Sequence, residues 1–104
     1  MWTYTIERNL YNGWVALSCA MLDDTKLLRV ATSKRQGGKI VTCATVVIME
    51  GKLGTHRLHA DFFEVIGSME ARATKNAIKR SHDELMQDHA GDIISRAIEH
   101  YRKG

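Results

Sequence analysis

Apolar and polar residues alternate one by one at the start of the chain, strand-like runs continue through its first half, and the period changes in the second half. Trp2, Tyr4 and Ile6 interleave with Thr3, Thr5 and Glu7, the pattern of a strand with one buried face. Asn12-Gly13, the pair best suited to the positive φ angles of a tight hairpin, turns the chain into a second strand over Trp14 to Leu22. Val15, Leu17, Cys19 and Met21 share one face of it. Asp23-Asp24-Thr25 is a short polar turn, and Leu27 to Thr32 reads as a third strand. A turn from Ser33 to Lys39, centred on Gly37-Gly38, leads to Ile40 to Met49. That run is dense in valine, isoleucine and threonine and apolar on both faces, as in a central strand. Glu50 to Gly54 reverses the chain again, into a fifth strand over Thr55 to Ala60.

From Asp61 the spacing reads as helical. Asp61 and Glu64 stand as in a capping box, and Phe62, Val65, Ile66 and Met69 recur at helical intervals. On one straight helix, the stripe of Phe62, Ile66, Met69 and Ala73 would lie opposite that of Ala71, Thr74, Ile78 and Leu85. A break at Gly67-Ser68 resolves the conflict. Ser68 then caps a second helix to about Gln87, and Gly91-Asp92 separates a third, with Ile94, Ala97, Ile98 and Tyr101 on one face. The expectation is an α+β fold in a single domain over 1–104. It consists of a four- or five-stranded antiparallel β-meander (1–60) followed by two or three C-terminal helices (61–104) packed on one face of the sheet.

Three modest helices leave much of the sheet uncovered. Trp2, Tyr4 and Trp14, with the even-numbered residues of the fourth strand, form an aromatic face expected to be covered by a homodimer contact or a docked partner. The chain has 104 residues, 44% of them hydrophobic, enough for one core without metals or disulfides. Cys19 and Cys43 lie in β-branched runs rather than in a Cys-x-x-Cys pair, so they read as buried, reduced thiols. No apolar run approaches the roughly 20 residues that span a bilayer, and no basic segment precedes an apolar one at the start. A cytoplasmic location without a membrane partner is expected.

The formal charge of +3 is small, but its distribution is uneven. Met1 to Thr25 sums to −2, and Lys26 to Arg57 carries seven bases against Glu50 alone. Lys34, Arg35 and Lys39 flank one hairpin tip, where cations can reach phosphates or a carboxylate-rich surface. Arg72, Lys75 and Lys79 align along one side of the second expected helix.

Catalytic chemistry is not signalled. No Gly-x-Ser-x-Gly, P-loop or dinucleotide fingerprint is present, and no cofactor is implied. His56 and His59, with Asp61 nearby, would point to opposite faces of a strand and so do not form a zinc site. His82 and His89 read as surface or boundary histidines. These features favour a non-enzymatic interaction protein that docks on a protein or a protein–nucleic-acid complex, using the aromatic face or the basic hairpin. A stoichiometric inhibitor or adaptor, of the kind carried by mobile genetic elements, has this size and simplicity. The alternative is a nucleic-acid-binding protein that contacts phosphates through the hairpin and the basic helix strip.

Overall fold

The computed structural model describes the backbone of residues 2–9, 13–23, 26–34, 39–50, 55–69 and 74–103, with side chains over 2–8, 13–22, 26–34, 40–45 and 74–99. Five strands, β1 (Thr3–Asn9), β2 (Gly13–Asp23), β3 (Lys26–Lys34), β4 (Lys39–Glu50) and β5 (Thr55–Met69), are followed by one helix, α1 (Lys75–Lys103). The sheet is an antiparallel meander in the order β1-β2-β3-β4-β5. Gly13, the second half of the expected turn pair, has φ of 71°, where a side chain would be strained. Asn12 and the Gly37-Gly38 turn lie outside the described residues.

Residues 61–69, expected to open the helical segment, belong instead to β5, and the expected boundary at residue 60 moves with them. The reason lies in the pairing of β5 with β4. Its register shifts between Lys39/Val41, Ala44/Thr45 and Val46/Val47, each time leaving one extra residue on β5. The 15 residues of β5 therefore run beside 12 of β4. Each bulge resets the period-two alternation, so apolar residues such as Phe62 and Val65 fall three apart and imitate a helix. Aromatic and β-branched side chains favour the extended state, and the ladder to β4 satisfies its backbone. Gly67-Ser68, read as a break between helices, falls within the first of these shifts.

The helix count is likewise corrected, from two or three to one. Thr74 is the N-cap, in place of Asp61 and Ser68. Its Oγ1 accepts the Ala77 N–H at 3.1 Å, and its carbonyl accepts the Ile78 N–H at 3.0 Å. Gly91 does not divide the helix. A glycine inside a helix costs about 1 kcal/mol relative to alanine, and packing outweighs this. Leu85 before the glycine and Ile93 and Ala97 after it are buried in one cluster with Leu28, Val30 and Ala44 of the sheet.

The helix rests on a single face of the meander. Ala16, Ser18 and Ala20 of β2, Leu28, Val30 and Thr32 of β3, and Ile40, Thr42 and Ala44 of β4 are all buried. Their even numbering and their pairing across strands put them on the same side, beneath α1. A second cluster, of Ala16, Ile40, Ala77 and Ile78, seats the first turns of the helix.

Candidate functional site

Those face assignments reverse one expectation. Trp2, Tyr4 and Trp14 belong to the face that α1 covers. Trp2 packs against the cluster around Leu28, Trp14 packs against the one around Ile40, and the Tyr4 ring lies 5.7 Å from the ring of His82. The face turned away from the helix carries the odd-numbered residues. On β2 these are Val15, Leu17 and Cys19, half-buried, and Met21, 54% exposed. Arg29 of β3, exposed, is the Cα partner of Cys19 and sits among them. Among the described side chains of β1 to β4 the charges on this face are Arg29 and, at its outer edge, the exposed Glu7, the Cα partner of Val15. Val41 and Thr45 of β4 are buried, so among the described side chains the accessible part of the face centres on β1, β2 and β3.

Both cysteines lie on the open face, half-buried, and neither forms a disulfide. β3 runs between their strands, so with strands about 4.8 Å apart their Cα atoms are too distant for a disulfide. Burial raises the Cys19 thiol pKa, and the positive charge of Arg29 opposes that rise.

His82 is the principal departure from the sequence reading. It is fully buried, whereas its expected companion His89 is exposed. His82 Nε2 lies 2.7 Å from Ser18 Oγ, His82 Nδ1 lies 2.8 Å from Thr32 Oγ1, and Thr32 Oγ1 lies 2.8 Å from Thr42 Oγ1. A neutral ring donates from one nitrogen and accepts at the other, so hydroxyl rotation satisfies the whole chain in either tautomer. Burial lowers the His82 pKa, with nearby Asp83 opposing the effect. Burial also raises the Tyr4 hydroxyl, and Asp83 adds to that rise.

A serine within hydrogen-bond reach of a histidine is the start of a nucleophile–base pair, but two features here act against that chemistry. The hydroxyl is buried beneath α1, where an acyl group cannot approach it. The far nitrogen meets a threonine hydroxyl rather than a carboxylate, so no hydrogen-bonded anion holds an imidazolium, and the charge of nearby Asp83 does not outweigh burial. The arrangement suits a polar lock between helix and sheet. A serine and two threonines at even-numbered strand positions, facing a histidine on the apolar helix stripe, were the available signal for it in the sequence.

Of the basic residues expected to bind, Lys34, Lys75 and Lys79 gather at one end, together with Arg8. Lys34 is the Cα partner of Ile40, and Arg8 is that of Trp14. Ile40 and Trp14 both pack with Ala77 and Ile78 at the start of α1, where Lys75 and Lys79 are exposed. Lys75 Nζ stands 5.1 Å from the Trp14 ring centroid. No acid offsets the first turn, so the π face supplies the negative potential that the helix dipole denies this lysine. The strip ends one turn later, at Asp83. Lys39 opens β4 with its side chain outside the described residues, as are Arg35 and Arg72 entirely.

Among the described residues, no three His, Cys, Asp or Glu side chains converge as metal ligands, and no helix is long and apolar enough to cross a membrane. Searches against protein-family models, curated proteins and solved structures returned no match.

Proposed function

We propose that this chain is a non-enzymatic interaction protein that docks on a protein partner through the sheet face opposite α1, as a stoichiometric inhibitor or adaptor does. The observation that carries the reading is Arg29, an exposed guanidinium set among half-buried apolar side chains with Met21 beside them. Apolar surroundings exclude water on contact and strengthen the charge they enclose, the environment in which arginine dominates binding. The complementary partner offers an apolar surface with a carboxylate near its centre.

The test is affinity capture from the native host, followed by titration of the captured protein against wild type, Arg29→Glu and Lys79→Glu. Arg29→Glu should weaken binding by about 30-fold or more while leaving the melting temperature unchanged, because the side chain is exposed. Lys79→Glu should bind as wild type does. Undiminished binding by Arg29→Glu sinks the reading.

A second reading rests on the basic end, where Arg8, Lys34, Lys75 and Lys79 meet. Phosphates could be bound there, with affinity falling steeply as salt rises. If duplex or single-stranded nucleic acid binds at low salt and Lys79→Glu flattens the salt dependence, this reading replaces the first.

A further inference from the structure

β1 is an edge of the sheet, and we propose that a second copy of this chain pairs with it, β1 against β1 and antiparallel, extending one continuous sheet through a two-fold dimer. The two edges of the meander differ in how they are built. β5 carries three register shifts against its neighbour, and bulges of this kind bend an edge away from further pairing. β1 pairs with β2 from Thr3/Cys19 to Asn9/Gly13 with no shift, and it contains neither proline nor lysine. Among the described residues nothing pairs with its outer side.

The helix leaves room for a second copy. α1 lies mainly over β2, β3, β4 and β5. On its side of the sheet, β1 therefore extends Trp2, Tyr4 and Ile6 toward the edge, with Tyr4 39% exposed and the other two half-buried. A second β1 would bring the same three side chains against these, filling the space between the two helices.

The sequence of β1 is self-complementary about Thr5. With Thr5 opposite Thr5 of the second copy, Tyr4 faces Ile6, Thr3 faces Glu7 and Trp2 faces Arg8, each pair occurring twice. Tyr4 with Ile6 is an aromatic–β-branched pair, Thr5 with Thr5 a threonine–threonine pair and Trp2 with Arg8 an arginine beside an indole, all favourable across antiparallel strands; Thr3 with Glu7 is polar, and no like charges meet. Slipping the pairing by two residues one way leaves Trp2 without a partner in the strand and slipping it the other way leaves Arg8 without one, so this register alone pairs every residue from 2 to 8. The dimer uses the edge and leaves the Arg29 face free, so it stands independently of the docking reading.

The test is sedimentation equilibrium of the full chain. Wild type should show twice the monomer mass of 11.7 kDa. Thr5→Lys places two like charges directly opposite and should weaken self-association on the order of tenfold. Mixing Thr5→Lys with Thr5→Asp should restore the dimer. The melting temperature of the Thr5→Lys monomer should match that of dilute wild type, which separates lost pairing from lost folding. A wild type that stays monomeric at about 100 μM overturns the proposal. So does a dimer that Thr5→Lys leaves intact, because in either slipped register a lysine at position 5 would face Glu7 or Thr3 rather than itself and be accommodated.

Discussion

Replacing His82 with alanine should lower the unfolding free energy by roughly 3 kcal/mol, read as a drop in the urea midpoint at neutral pH. Two effects add. The substitution leaves a cavity between α1 and the sheet, and it strips the Ser18 and Thr32 hydroxyls of their shared partner in a site without water access. The loss should also depend on pH in a defined direction. Burial holds the folded-state pKa of His82 below its ordinary value of 6.5. The unfolded chain therefore takes up a proton more readily than the folded chain. The contribution of His82 is complete above its unfolded pKa and declines as pH falls through about 6.5 toward the depressed folded value. Between about pH 7 and pH 5, stability should fall less steeply in His82→Ala than in wild type. An equal slope in both proteins would mean that the buried ring does not resist protonation.

Ile93→Ala should cost about 3 kcal/mol as well, within the range for a fully buried isoleucine cut back to alanine. Its position makes the result informative about the helix. Ile93 follows Gly91, yet it shares a cluster with Leu85 before the glycine and with Leu28 and Val30 beneath it. If Gly91-Asp92 divided the segment into two helices, the last would be short and loosely attached, and the same substitution would cost well under 1 kcal/mol. Denaturant titration separates the two outcomes, and an unchanged slope with denaturant would show that Ile93→Ala keeps the unfolding cooperative.

The first half of the fold was legible because its signals are local and agree with one another. Strict alternation in β1, the Asn12-Gly13 turn and the β-branched run of β4 each specify their element without reference to the rest. β5 was not legible beyond residue 60, because its three bulges destroy the periodicity by which strands are recognised. Only pairing with β4, a tertiary effect, decides its state. The helix start was missed for a related reason. Asp61 and Ser68 offered stronger local caps, but β5 extends past both and leaves Thr74 as the residue free to cap.

The site shows a similar division. Sequence alternation did separate Trp2 and Tyr4 from Thr3 and Thr5, but it cannot say which side a helix will cover. The aromatic side looked like the excess surface because several short helices were expected above it. One 29-residue helix changes that balance. It reaches over both buried clusters, takes the even-numbered face through His82, and leaves Leu17, Met21 and Arg29 on the other. The basic residues could be listed from the sequence. Their meeting at one end depends on the pairing of Lys34 with Ile40 and on where the helix begins.

The claim that α1 covers the even-numbered face and leaves the odd-numbered face free to bind is tested most directly by thiol reactivity along β2. In a Cys19→Ser, Cys43→Ser background, single cysteines replace Leu17, Ser18, Ala20 and Met21 in turn, and maleimide labelling is timed in the folded state. Labelling at 17 and 21 should be fast. At 18 and 20 it should be on the order of a hundredfold slower, limited by local opening of the helix, and partner binding should slow only the first pair. Equal rates at all four positions, or faster labelling at 18 and 20, would contradict it.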